Sequence, residues 1–377
     1  MLACVPMSMR TKINPMTPNA RSILITGGAG FIGCELSSRL IERGDRVTVM
    51  DVLHPQVHHL TGLPERLHPD VALLPVDVTS SSSWAATLRM IQPECVVHLA
   101  AETGTGQSLT EGSRHSSVNV VGTTRMTDAL GSAGIVPSHV VLASSRAVYG
   151  EGQWKCGDTT FSPPARSHAD LVAGKWNPTA PGPGLMQPVA SGAHSTPPFP
   201  TSVYGATKLA QEHILGAWCS AMGSALSILR LQNVYGPGQS LGNPYTGIVT
   251  LFARQAKMHQ EIDVYEDGEI VRDFVFIEDV VDGLMAALDQ PPDRQRTVDI
   301  GSGQGTTVSE LASLMARRMD APVPRVSGKF RDGDVRAAFA DISQAELELG
   351  WKPAWRLEDG MEALLIWLDQ HSSEVTT

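Results

Sequence analysis

The sequence predicts an α/β fold, a doubly wound parallel sheet of the Rossmann type followed by a smaller C-terminal α/β lobe. Three observations carry that reading. Short apolar, β-rich runs alternate with stretches of helical period, which is the signature of βαβ units whose sheet is buried on both faces. The first run, residues 23–25, enters a glycine-rich turn, Thr26-Gly27-Gly28-Ala29-Gly30-Phe31-Ile32-Gly33, that opens a helical pattern. The second run ends on Asp51, about 20 residues beyond that turn.

The glycine turn suits a phosphate cradle. Gly27 lets the chain turn sharply, Gly30 lets backbone approach a pyrophosphate, and Gly33 lets the helix pack closely on the sheet. The N–H groups that open the helix, around Phe31 and Ile32, add partial positive charge. Glycines at this spacing also serve ordinary turns, so the context decides. Leu36, Leu40 and Ile41 recur at helical spacing and Gly44 stops the helix. A strand over 46–51 follows, and Asp51 stands where such folds place the carboxylate that binds the adenosine ribose. A carboxylate repels a 2′-phosphate and no arginine follows at Val52 or Leu53, so the expected cofactor is NAD.

A third strand is expected over 71–76 and a fourth over 95–101. Asp77 and Val78 then border the adenine. Leu99, Ala100, Ala101 and Thr103 fall at the carboxyl end of the fourth strand, where open α/β sheets bind ligands. His98 lies inside that run and is expected to be a packed core histidine. A helix carries residues 119–124, and a fifth strand over 139–145 ends on Ser144 and Ser145. Residues 151–200 are rich in Pro, Gly, Ser and His, with only a helical hint at 169–173, and read as a long inserted flap.

Helical period resumes at Tyr204 and Lys208, which are i and i+4 and share a face. An unperturbed tyrosine titrates near 10, too high for an efficient base at neutral pH. A neighbouring ammonium and a cationic nicotinamide ring would both lower it. Downstream, a sixth strand is expected over 227–237, a strand entering a helix over 275–280, a helix with a glycine stop over 341–353, and a last amphipathic helix over 357–368 on the small lobe.

Bulk composition narrows the function. The chain has 377 residues, 42% hydrophobic and 18% charged, with a formal net charge of -10. That balance argues against a nucleic-acid or anionic-membrane surface and leaves room for a local basic pocket. The 5 cysteines, Cys4, Cys34, Cys95, Cys156 and Cys219, show no metal-ligand spacing, so no metal is expected and a reduced, cytoplasmic setting is the simpler reading. Residues 1–20 read as a disordered leader, their apolar run 2–5 being too short for a signal-peptide core. No segment approaches the roughly 18 apolar residues of a membrane helix.

The glycine turn, the segment Ser145-Arg146-Ala147-Val148-Tyr149-Gly150 and the Tyr204/Lys208 pair together resemble the extended short-chain dehydrogenase/reductases, especially the nucleotide-sugar epimerases and dehydratases. The match covers nearly everything after residue 21. The resemblance implies that Ser145, four residues before Tyr149, bonds the reacting hydroxyl, with Ser144 as its neighbour. It gives Tyr204 the role of base or acid, and Lys208 the roles of binding the nicotinamide ribose and tuning Tyr204. Asn233 resembles the diphosphate-contacting asparagine, Arg272 and Arg331 resemble phosphate-holding arginines, and Asp334 resembles a ribose ligand. Residues 243–252 resemble the part of the lobe that encloses the nucleotide.

Dehydratases of this kind carry an acid just after the serine to protonate a leaving hydroxyl. Here Arg146 and Ala147 stand there, which disfavours dehydration, places Arg146 beside the substrate, and leaves epimerisation or ketone reduction open. A non-catalytic dinucleotide-binding sensor is the remote alternative, and the intact Ser145, Tyr204 and Lys208 argue against it. Features of the insert, among them Cys156 and Gly174-Lys175-Trp176-Asn177-Pro178, resemble a bacterial subgroup of epimerases linked to dTDP-L-rhamnose. That likeness implies a dTDP-hexose as substrate. Thr179-Ala180-Pro181-Gly182 contains no second cysteine, and Cys156 alone cannot hold zinc. The resemblance further implies a homodimer. It also implies an NAD-binding domain over 21–235 with the insertion 151–200, then a substrate lobe over 236–377 in which 271–302 returns to the first domain.

Overall fold

The computed structural model describes residues 20–58, 64–240 and 247–371, so residues 1–19 of the expected leader and 243–246 of the expected nucleotide-enclosing segment lie outside the described residues. Its centre is a parallel sheet of strands β1 (Ser22–Thr26), β2 (Arg46–Asp51), β3 (Ala72–Pro75), β4 (Cys95–His98), β5 (His139–Ser145), β6 (Ala225–Leu231) and β7 (Gln295–Ile300). The spatial order is β7-β6-β5-β4-β1-β2-β3. The chain runs outward from β1 to β3, then crosses back to β4. The order therefore reverses between β1 and β4, and a crevice opens at their carboxyl ends, the usual ligand position in such sheets.

Alternation along each strand builds two cores. Ile23, Ile25, Val47, Val49, Val97 and Val141 face one side, where they meet helix α1 (Phe31–Glu42), helix α2 (Ile277–Asp289) and the C-terminal helices. Leu24, Met50, Val96, Val140 and Leu142 face the other, packing on Trp84, Met126 and Leu215 from three further helices. Both faces are covered, which is why these strands read as continuous apolar runs. Each fully buried Leu or Ile contributes about 1.5–3 kcal/mol before conformational entropy is subtracted. The first core runs on without interruption into Val249, Phe252, Val308 and Leu311 of the C-terminal lobe. Among the described residues, no helix is long and apolar enough to cross a membrane.

Three elements differ from the sequence expectation. The sixth strand breaks at Gln232, whose N–H donates to Ile300 O at 2.9 Å, while Asn233 N donates to Asp273 O at 3.0 Å. Asn233–Tyr235 thus leaves the large sheet and pairs with Phe274–Phe276. The fourth strand ends at His98, three residues short of the expected run, because the chain turns at the crevice.

The insertion is a folded unit rather than a loop with a helical hint. Gln153–Cys156, Thr159–Phe161 and Met186–Val189 form a three-stranded antiparallel sheet, and His168–Val172 a short helix. Trp154, Cys156 and Leu171 are buried. The period-two burial of Gln153-Trp154-Lys155-Cys156 is too short to stand out in a Pro- and Gly-rich background.

Candidate active site

The glycine turn separates two kinds of glycine. A Cβ on Gly27, which has φ +67, would meet Ala100 backbone at 2.7 Å, and one on Gly28 would meet Val49 at 2.7 Å. On Gly33 it would meet Gly28 Cα at 2.4 Å, so this glycine serves helix-to-turn contact rather than the helix-to-sheet contact expected from its spacing. Gly30 is different: its Cβ would meet only Gly27 O, at 3.3 Å. Protein packing does not require this glycine, yet it faces the crevice. Gly30 is also the N-cap of α1 and supplies no side-chain cap, which leaves the first helical N–H groups to an outside acceptor. A dinucleotide pyrophosphate fits that cradle.

At the carboxyl end of β2, Asp51 is held by two backbone donors. Ala29 N donates to Oδ2 at 3.0 Å and Leu53 N to Oδ1 at 2.8 Å, which fixes the carboxylate at the rim of the crevice. Asp77 accepts from Thr79 N at 2.7 Å, and Val78 is buried beside it. Leu99, Ala100 and Ala101 line the crevice floor.

The reactive end is built where β5 meets the helix Val203–Met222. Ser202 caps this helix by accepting from Gly205 N at 3.1 Å, so Tyr204 enters in its first turn. Gly205 lies so close to Ala147 O that a Cβ would approach to 2.4 Å, pressing the turn of Tyr204 onto the turn after Ser145. Burial pushes the Tyr204 phenol up, while a hydrogen bond with Ser145 and the charge of Arg146 act to lower it. Lys208 is buried, and its Nζ donates to Ala143 O at 2.8 Å. Burial pulls Lys208 down to about 7, against the opposing carboxylate of Glu212. The charge of Arg146 thus bears on the phenol, beside Lys208, which stands about one helical turn further along the same helix.

Three arginines gather at the far end. Arg146 Nε donates to Asn233 Oδ1 at 3.2 Å, and burial together with neighbouring Arg272 pulls its guanidinium down to about 10. Arg272 is buried and donates to Asp334 Oδ1 at 2.5 Å. Arg331 lies over the Tyr265 ring at 5.2 Å. Asp334, expected as a ribose ligand, therefore has one oxygen committed to Arg272. Nearby cations hold its carboxyl below the usual range although burial opposes them.

Every residue named from sequence as a candidate cofactor or substrate ligand, Thr103 included, lines one cavity of about 1470 Å³. Sequence reading missed several residues that shape it. Asn119 bonds Glu102 N through its Oδ1 at 2.8 Å and donates to Thr207 Oγ1 at 2.9 Å, fastening the loop after β4 to the helix of Lys208. Glu212 accepts from Ser144 Oγ at 2.5 Å and from Arg230 Nη2 at 2.7 Å, behind the reactive end. The only available signal for Glu212 was its i+4 spacing from Lys208. His98 proves to be a core histidine, with Thr26 Oγ1 at 2.7 Å and Thr123 Oγ1 at 2.9 Å from its ring nitrogens.

Comparison with known proteins agrees with this geometry. The model of the NAD dependent epimerase/dehydratase family matches residues 23–170 and 178–301. The chain is 53% identical over 359 residues to the dTDP-L-rhamnose 4-epimerase of Burkholderia thailandensis, covering 95% of this chain and 98% of that one. Among solved structures it resembles the UDP-glucose 4-epimerase of Thermotoga maritima with UDP-glucose, at TM-score 0.74 and 27% identity over 93% of this chain and 99% of the other. The UDP-glucose 4-epimerase of Thermus thermophilus in complex with NAD gives TM-score 0.73 at 25% identity, covering 92% and 99%.

Proposed function

This chain belongs to the NAD dependent epimerase/dehydratase family, and we propose that it is a nucleotide-sugar 4-epimerase acting on dTDP-L-rhamnose or another dTDP-6-deoxyhexose. The observation that carries the reading is a single cavity lined by the glycine turn, by Ser145 and Tyr204, and by Arg146, Arg272 and Arg331. A phosphate cradle, a proton acceptor and an anion-binding end are the parts that a redox reaction on a nucleotide-linked alcohol requires. The full-length likeness to a dTDP-L-rhamnose 4-epimerase supports the choice of sugar.

The cofactor is NAD; Gly27 to Gly33, Asp51 and Lys208 line the cavity and would hold it, and when bound it would supply a group that accepts a hydride and gives it back. The chain's own residues do the rest. Tyr204 Oη takes the C4 hydroxyl proton while Ser145 Oγ orients that hydroxyl, and the same phenol later returns the proton to O4 once the 4-keto sugar has turned its other face to the cofactor. Arg272 and Arg331 hold the pyrophosphate, so the sugar turns about a fixed anchor. Arg146 stands where a dehydratase needs an acid; a guanidinium retains its protons and cannot supply one to a departing hydroxyl. In this reading the working form is a cytoplasmic homodimer, a reducing setting that suits the free, buried Cys34 and Cys219.

The test uses purified protein. Denaturation should release NAD, and incubation with dTDP-L-rhamnose should yield the C4-inverted sugar with no net NADH. Stoichiometric cofactor turnover would replace epimerisation by ketone reduction, and solvent deuterium at C6 would mark a dehydratase.

A further inference from the structure

The insertion sends one side chain into the back of the anion-binding end. Arg166 is half-buried as a residue, and its side chain is only 2% accessible. Its Nη2 donates to the Asp334 carbonyl at 2.8 Å. Its Nη1 donates to Glu266 Oε2 at 2.8 Å and to Trp176 O at 2.9 Å, and its Nε lies 3.3 Å from Glu151 Oε1. Asp334, so held, receives Arg272 through its carboxylate at 2.5 Å. A continuous set of charge-assisted contacts therefore runs from the insertion, through Asp334, to a guanidinium that lines the cavity.

Glu266 gives an independent sign that this geometry is enforced. It is a non-glycine residue at φ +53, a conformation that costs energy for a side chain of this kind. It is nevertheless buried, and its backbone and Oε2 are held by several contacts. Its N–H donates to Lys329 O at 2.7 Å, its carbonyl accepts from Gly328 N at 3.2 Å, and its carboxylate also takes Arg336 Nη1 at 3.2 Å. The neighbour Tyr265 carries Arg331 over its ring. Buried ion pairs of this kind seldom stabilise more than apolar side chains of equal size would, so their retention points to orientation rather than stability.

We infer that Arg166 is a positioning residue for nucleotide-diphosphate binding: the insertion braces Asp334 from behind, and Asp334 aims Arg272 at the pyrophosphate. The inference rests on the proposed nucleotide-sugar function and gives the insertion a part in it. The guanidinium is required as a fork, because one ammonium cannot reach Glu266 and the Asp334 carbonyl with the same geometry.

Binding of dTDP to NAD-loaded wild type, Arg166→Lys and Arg166→Met by titration calorimetry tests it, alongside kcat, KM, NAD content and thermal midpoint. Arg166→Lys should weaken dTDP and raise KM by about tenfold while kcat at saturation stays within about threefold of wild type. Its NAD content should not move, while its thermal midpoint falls somewhat because the part-buried Trp176 and Asp334 carbonyls lose part of their donors. Should Arg166→Met fail to fold, the lysine variant still decides. Unchanged dTDP affinity in Arg166→Lys would overturn the inference alone, as would a parallel fall of affinity, kcat and NAD content. Failure of dTDP to bind wild type would instead overturn the functional reading, and this inference with it.

Discussion

Lys208 Nζ donates to the carbonyl of Ala143 at 2.8 Å, tying the helix that carries Tyr204 to the strand that ends on Ser145. The two residues of the Tyr204/Lys208 pair consequently have different duties, and substitution separates them. Tyr204→Phe should lower kcat by about 10²–10⁴-fold, the range for loss of a proton-transfer group, with thermal midpoint and NAD content unchanged. Lys208→Met should lower activity and also destabilise the fold by about 1–3 kcal/mol, because the buried Ala143 carbonyl loses its donor. Equal stability losses in both variants would contradict this division.

The charge of Arg146 acts to lower the Tyr204 phenol, against the burial that raises it. Its removal lets the phenol rise further above its ordinary value, so the phenolate fraction at any given pH below that value falls. The rising limb of the kcat/KM profile of Arg146→Met should move to higher pH, with about a tenfold loss near pH 8 for each unit of displacement. Arg146→Lys, which keeps the charge, should retain most of the wild-type limb. An unmoved limb in Arg146→Met would remove Arg146 from this role.

Gly30 and Gly33 differ in what stands over them, and alanine reports the difference. Gly33→Ala places a methyl 2.4 Å from Gly28 Cα and should lower the thermal midpoint whether or not NAD is present. Gly30→Ala meets only Gly27 O at 3.3 Å and should fold normally, yet copurify with little NAD. Measuring midpoint and cofactor content on both proteins checks the contrast; full NAD content in Gly30→Ala would argue against a phosphate at this turn.

His98 predicts the acid limit of stability. Its imidazole takes a proton near 6.5 when unfolded, whereas burial lowers the folded value to about 3. The unfolded chain therefore binds the extra proton between these values. The contribution of His98 is complete above pH 6.5 and is lost as pH falls, at about 1.4 kcal/mol per pH unit. Urea unfolding from pH 7 to pH 4 should show this slope, and His98→Gln should flatten it. A variant with the wild-type slope would assign the acid sensitivity elsewhere.

Much of the fold and many of the cavity residues were legible in the chain itself. Residues 22–51 read correctly because strand, glycine turn, helix and closing Asp51 are each set by neighbours within a few residues, where period and turn chemistry act. The insertion was misread because its strands are three or four residues long and their pairing spans a Pro- and Gly-rich background. The break at Gln232 was invisible because its cause, the Asn233 pairing to Phe274, lies about forty residues downstream.

Sequence alone determined the alternation of strands and helices, the glycine turn and Asp51, since each is encoded in local spacing, while Ser145, Tyr204 and Lys208 were marked as a set by the family resemblance. Tertiary structure decided the partners of those residues. It gave Lys208 the Ala143 carbonyl as a partner, set Arg146 near Tyr204, and committed Asp334 to Arg272. Arg166 and Glu266 stand 100 residues apart in sequence and 2.8 Å apart in space. Periodicity carries no information over that separation; which charges meet is settled only when the chain closes its long loops and burial makes each unpaired ion costly.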